Sequence, residues 1–204
     1  ALGCETDFVA KNAEFQALAE AIAEAAIANF PADKDALMAC VLADGRTVEA
    51  AVTEQTGKTG EKHVIVGYET VEAPFISAYM HKITGKLAAV VGFNKEFDAQ
   101  VAKGVAMQVA SMAPLYVSTE DIPEDVMNAK KKELEENFKG PEKMKDQIIG
   151  GQIKKAFSDK VLMDQPYILD DTKTVAEFIK DAIAKTGENI TVKQFKRIEL
   201  GVTE

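Results

Sequence analysis

The chain has 204 residues and is 47% hydrophobic, enough to bury a sizeable core in one large domain or two small ones. Its 33 acidic against 24 basic side chains leave a net charge of -9, and no Lys/Arg cluster is interleaved with aromatics, which disfavours direct nucleic-acid binding. No apolar run approaches the roughly 20 residues of a membrane span, and the first residues lack the profile of a secretion signal, so cytoplasm or an organelle interior is expected. Cys4 and Cys40 are too few and too far apart for a disulfide framework. His63 and His81 add no metal-ligand spacing to them, so two reduced thiols are expected, with no metal and no cofactor.

In chain order, a short strand up to Glu5 leads into Thr6-Asp7-Phe8-Val9, and Asn12 opens a helix with Glu14 in its first turn, ending before Pro31. The apolar stripe of that helix is Phe15, Leu18, Ile22 and Ala26. Phe8 lies outside it, so its ring reads as presented to a partner or, alternatively, as a hydrophobic staple folded onto the helix. Asp7 reads either as a contact carboxylate or as a helix cap. Short helices follow at about Asp35 to Leu42 and Val48 to Gln55. Thr56-Gly57-Lys58-Thr59-Gly60 then stops the second of them, and His63 to Tyr68 suits a sheet.

Past Val71 to Pro74 the apolar runs Phe75 to His81 and Leu87 to Phe93 flank Ile83-Thr84-Gly85-Lys86, an antiparallel hairpin. A helix over about Lys95 to Met112 shows Phe97, Val101, Val105, Val109 and Met112 at core spacing, and Pro114 ends it. From Pro123 to Phe138 apolar positions thin out among Lys130-Lys131-Lys132 and Glu133, Glu135 and Glu136. Gly140-Pro141 breaks that helix, and Met144, Ile148, Ile149, Ile153 and Phe157 mark a return helix. The pair predicts a protruding antiparallel helical hairpin at about 123–160 with a narrow seam and a solvated charge run. Gly150-Gly151 predicts a kink or a close helix crossing. Thr174 and Glu177 make a capping box for a helix faced by Val175, Phe178, Ile179, Ala182 and Ile183, closed at Gly187.

An internal echo links two places. Lys58-Thr59-Gly60-Glu61 precedes Tyr68 and Val71-Glu72 at the same offsets as Lys185-Thr186-Gly187-Glu188 precedes Phe195 and Ile198-Glu199. The expected fold is therefore α+β with two related subdomains, each a small antiparallel sheet with helices on one side: a core subdomain at 1–72 and a second at 73–204 carrying the inserted helical hairpin.

The chemistry-bearing patterns are few. Thr56-Gly57-Lys58-Thr59 fails as a phosphate loop because position 52, where the opening glycine belongs, is Val. No nucleophile and base stand out, so covalent catalysis is not indicated.

Thr6-Asp7-Phe8-Val9-Ala10-Lys11-Asn12 followed by Phe15 resembles the signature of the elongation factor Ts family, nucleotide exchange factors for elongation factor Tu. Further matches occur in the family's order: Tyr79-Met80-His81 ahead of Gly85, Met107-Gln108-Val109-Ala110-Ser111 ahead of Pro114, Asp164-Gln165-Pro166-Tyr167 leading into Lys173-Thr174-Val175, and Phe195 to Gly201. The likeness covers essentially the whole chain. It implies a partner, elongation factor Tu, whose Mg-phosphate site is disturbed by Asp7 and Phe8, with Thr6 and Val9 holding the turn. It also implies a second contact at Thr59 and Gly60, where Thr59 replaces the family's isoleucine, and a third at His81, which otherwise reads as an ordinary surface histidine. Gln108 stands where some relatives have histidine and is assigned no role. Members usually carry a small helical module ahead of this point, so a fragment or processed form is expected, and a homodimer is possible. The rival reading is a duplicated α+β scaffold that self-assembles or binds a small ligand, with Phe8 packed; an enzyme of unrecognised type ranks behind it.

Overall fold

The computed structural model describes residues 1–187 and 189–201, and only the backbone of Lys185 and Thr186. Strands and helices follow in the order β1 (Leu2–Gly3), α1 (Asp7–Ala10), α2 (Ala13–Asn29), α3 (Lys34–Ala39), α4 (Val48–Thr59), β2 (Val64–Ile65), β3 (Phe75–Met80), β4 (Leu87–Phe93), α5 (Ala99–Met112), α6 (Glu124–Glu136), α7 (Lys145–Phe157), β5 (Pro166–Tyr167), β6 (Asp170–Thr174), α8 (Val175–Thr186) and β7 (Val192–Glu199). The chain divides into two compact units. The first comprises Ala1–Thr70, Lys82–Lys86 and the segment beginning at Ile198; the second comprises Val71–His81 and Leu87–Arg197.

In the first unit, α2 presents Leu18, Ile22 and Ala25 to Leu37 of α3 and to Val48, Ala51 and Val52 of α4, with Leu42 and Ile65 completing the core. Full burial of each large aliphatic side chain is worth about 1.5–3 kcal/mol, so this small cluster is what holds three helices together. β1 and β2 pair antiparallel, Leu2 opposite Ile65 and Gly3 opposite Val64, and the amino terminus donates to the Gly67 carbonyl at 2.7 Å. α4 starts at Val48 as expected but ends later than expected. Thr47 caps its start, and the helix runs through Gly57 to Thr59, stopping only at Gly60, whose left-handed φ of 73° no β-carbon favours. Gly57 costs the helix about 1 kcal/mol relative to Ala but does not terminate it, because only the left-handed residue ends the hydrogen-bond ladder.

In the second unit, β3 and β4 form the expected antiparallel hairpin, Phe75 opposite Phe93, and hydrogen-bond in the order β3-β4-β7. Their buried face, with Ala89, Val91 and Phe93, packs with α5 and α8. α5 starts four residues later than the spacing implied because Asp98 is its cap, accepting from the N–H groups of Gln100 and Val101. Phe97 instead precedes the helix and packs edge-on to Phe75 and Phe93. Met112, expected on the core face, is 45% exposed; Ala102, Val105, Ala106, Val109 and Ala110 line the buried side. Gly104 is required here: a β-carbon would sit 2.1 Å from the Tyr167 hydroxyl, and that ring stacks on Phe178 at 3.8 Å.

α6 and α7 meet through Met127, Ile153 and Ala156 around Phe157, Ile122 and Val161. α6 buries no residue fully and α7 only Ile149 and Phe157. The close crossing expected at Gly150-Gly151 is not there: both glycines are exposed inside an unbroken helix, and an added β-carbon would meet nothing within 4 Å. Of the sequence echo, Gly187 closes α8 in the left-handed region as Gly60 closes α4, whereas Glu188 lies outside the described residues.

Candidate functional site

Between β1 and α2 the chain makes one isolated helical turn, α1. Thr6 is its cap, in extended conformation, its hydroxyl accepting from Val9 N–H at 3.4 Å; Asp7 is the first helical residue and not the cap. Ala10 and Lys11 donate to the carbonyls of Thr6 and Asp7, and Asn12 to that of Val9. Val9 and Ala10 are half-buried, while Phe8 is 90% exposed. A phenylalanine gains about 1.5–3 kcal/mol from burial, and here that free energy is left available to whatever covers the ring. The hydrophobic-staple alternative is therefore not what Phe8 does.

The turn is held from outside its own segment. Glu61, just past the Gly60 cap, reaches back with its carboxylate: Oε2 accepts from the N–H groups of Glu5 at 3.1 Å and Thr6 at 3.0 Å, and Oε1 accepts from the Thr6 hydroxyl. Glu5 reciprocates by accepting from Lys62 N–H at 3.3 Å. Glu61 is itself fixed at the backbone. Its N–H donates to the Thr59 hydroxyl at 3.2 Å, and that hydroxyl in turn donates to the Gln55 carbonyl at 3.0 Å, so Thr59 serves the helix end. The Glu61 carbonyl can only accept, so the 2.8 Å contact with His63 Nδ1 places the proton on that nitrogen. His63 is 5% exposed and tilts against Phe15 of α2 at 5.4 Å, which seats the whole loop on the helix core. Thr6 to Val9 and Thr59 to Gly60 are thus joined through one side chain.

Electrostatically the turn carries a second constraint. Lys86 Nζ lies 3.0 Å from Asp7 Oδ1. Hydrogen bonding and charge from this ammonium hold the Asp7 carboxyl below its usual range, with Lys11 a lesser contributor. Lys86 is firmly mounted: its N–H donates to the Thr84 hydroxyl at 3.3 Å, and its carbonyl accepts from Leu200 N–H at 2.7 Å. The Glu61 carboxyl is likewise lowered, first by the Thr6 hydroxyl and then by the backbone donors.

His81 belongs to the second unit, where its N–H closes the β3–β4 hairpin on the Leu87 carbonyl at 2.8 Å. Sequence reasoning missed Glu61 and Lys86, because neither sits in a local pattern that announces its target. It also gave no role to Gln108, which is fully buried. Gln108 donates to Gln165 Oε1 at 3.0 Å and to the Pro166 carbonyl at 3.1 Å, and accepts from Ile168 N–H at 2.7 Å, a structural tie of β5 to α5. Among the described residues no group of three His, Cys, Asp or Glu side chains could hold a metal ion, and no helix is long and apolar enough to cross a membrane.

Comparison with known proteins gives one family. The sequence model described as "Elongation factor TS" matches residues 5–202. Proteins named "Elongation factor Ts" are similar over almost the full chain: that of Streptomyces avermitilis is 39% identical, covering 98% of this chain and 72% of its own length. Those of Chloroherpeton thalassium and Rhodococcus opacus are 38% and 37% identical, covering 98% and 99% of this chain and 73% and 74% of their own lengths.

Proposed function

We propose a nucleotide-exchange function for this chain, which belongs to the elongation factor Ts family of translation elongation factors. The partner is elongation factor Tu, and the step promoted is GDP release, after which GTP enters. Asp7 and Phe8 form a wedge aimed at the Mg-phosphate side of the partner's nucleotide site, Thr6 and Val9 hold its turn, Thr59 and Gly60 supply a second contact, and His81 a third from the other unit. In this reading no bond is made or broken. A factor that stabilises the nucleotide-free partner more than the nucleotide-bound one must, by linkage, lower nucleotide affinity by the same factor and be displaced when nucleotide returns.

The observation that carries the proposal is the 90% exposure of Phe8 on a turn held by Glu61, next to a carboxylate paired with Lys86. Large exposed aromatics on a pre-set frame are the usual anchors of protein interfaces, since little ordering entropy is lost when they bind. Asp7 adds a charge able to compete for the metal's coordination or its waters. The hairpin of α6 and α7 is a secondary contact at most, and the reaction takes place where translation does, in a bacterial cytoplasm or an organelle interior. The test is dissociation of labelled GDP from elongation factor Tu on mixing with this chain. Acceleration is expected, and an unchanged rate refutes the function.

A further inference from the structure

The capping of α1 differs from that of the two turns that carry a capping box, the short one begun by Ser118 and α8 begun by Thr174. In a capping box the third residue of the helix is an acid that accepts from the cap residue's own N–H. Thr174 obeys that rule: its N–H donates to Glu177 at 2.8 Å. Ser118 obeys it too, through Asp121 at 2.7 Å. At Thr6 the third helical residue is Val9, which has no acceptor, and the missing carboxylate comes from Glu61, 55 residues away. Glu61 also takes the Thr6 hydroxyl and the preceding N–H of Glu5, so three donors converge on one side chain. Glu61 is half-buried and its partners Glu5 and Thr6 are exposed, and four residues of helix cannot hold themselves together in water. What fixes the direction of Phe8 must therefore reach α1 from outside it, and Glu61 supplies three of those ties, beside the Asp7–Lys86 pair.

We infer that Glu61 is the positioning residue of the wedge: by capping α1 from the end of α4 it fixes the direction of Asp7 and Phe8 and makes the Gly60 loop and the Thr6 turn one rigid piece. The inference rests on the exchange function proposed above. Its consequence is that two contacts far apart in sequence reach the partner in a set geometry, and that misaiming the turn lowers the rate of release even where the chain still folds and binds. Displacement of a positioned group by about 1 Å is enough to cost on the order of 100-fold in a rate.

The test uses the full chain and labelled GDP on elongation factor Tu, with the release rate followed against chain concentration so that the saturating rate and the half-saturating concentration are read separately. Glu61→Ala is expected to lower the saturating rate about 10-fold or more in a chain that still folds cooperatively. Glu61→Asp, which keeps the charge but withdraws it by one methylene, should lose nearly as much. Glu61→Gln keeps an oxygen for the two backbone donors and should stay within about 3-fold of the parent. In a Phe8→Ala background Glu61→Ala should cost less than about 2-fold, since it acts through that ring. Hydrogen exchange at the Thr6 amide should accelerate in the Ala and Asp variants. A parental rate for Glu61→Ala, or the same loss with and without Phe8, overturns the inference. Failure of the parental chain to accelerate release would instead overturn the exchange function itself. Should Glu61→Ala not fold, the contrast between Glu61→Asp and Glu61→Gln decides: equal rates overturn the inference.

Discussion

The turn at Thr174 and the turn at Thr6 solve the same problem by different means. Both begin a helix with a threonine whose hydroxyl accepts from the third helical N–H. At Thr174 the acid that completes the cap is Glu177, three residues on, and the twelve-residue α8 behind it buries Val175 and Ile179 in the core. At Thr6 the acid is Glu61 and the helix is a single turn with no buried residue. A local cap stabilises the helix it starts. A remote cap does something more: it pins one stretch of chain to another, and so can hold an exposed ring in place where there is no core to hold it.

That comparison can be sharpened by experiment. The largest change in stability is expected where a remote polar tie is buried. Gln108→Leu leaves Gln165 and the Ile168 N–H without their partner and should cost about 1–3 kcal/mol in chemical denaturation, with GDP release by the folded protein unaltered. Smaller is the loss at the local cap: Glu177→Ala should lower stability by about 1 kcal/mol and leave the release rate as it was. A fall in release rate with either variant would break the distinction between caps that stabilise and caps that aim. The smallest effect belongs to Lys86→Met. The pair with Asp7 is solvent-exposed, so melting should barely move, but release should slow by about 2- to 5-fold, and the difference from the parent should shrink as salt rises. Asp7 reports directly on this, because losing the ammonium should raise its carboxyl pKa towards the ordinary value when followed by NMR titration. The sign follows from the lowered pKa: the Asp7–Lys86 pair contributes above the unfolded carboxyl's pKa and is lost as pH falls through the lower, folded one. The Glu61 link behaves alike.

Much of this was legible in the residues. Phe8 stood off the stripe of Phe15, Leu18 and Ile22, and off the stripe is where it is found, exposed. Gly60 and Gly187 were recognisable as helix stops because a left-handed residue is what ends each ladder. The β3–β4 hairpin followed from two apolar runs around a glycine turn. What stayed hidden was non-local. Glu61 is one of many acids, and nothing around it in sequence shows that it faces Thr6. Lys86 sits in a turn where a lysine needs no explanation, yet it meets Asp7, 79 positions earlier. Helix ends were misjudged where a cap outranked a pattern: Asp98 starts α5 after Phe97, and α4 passes through Gly57. Gly150 and Gly151 misled for the opposite reason, because glycine on an exposed helix face needs no neighbour. The role proposed for the Asp7-Phe8 pair came from family resemblance, and the frame that holds the pair came from the fold.

The central claim is that the Phe8 ring works as a wedge, and the rate of GDP loss from elongation factor Tu in the presence of Phe8→Ala tests it most directly. Truncating the ring should remove about 2 to 4 kcal/mol of productive interaction, slowing assisted release roughly 30- to 1000-fold while melting stays at the parental temperature. Release at the parental rate by a folded Phe8→Ala chain would contradict it.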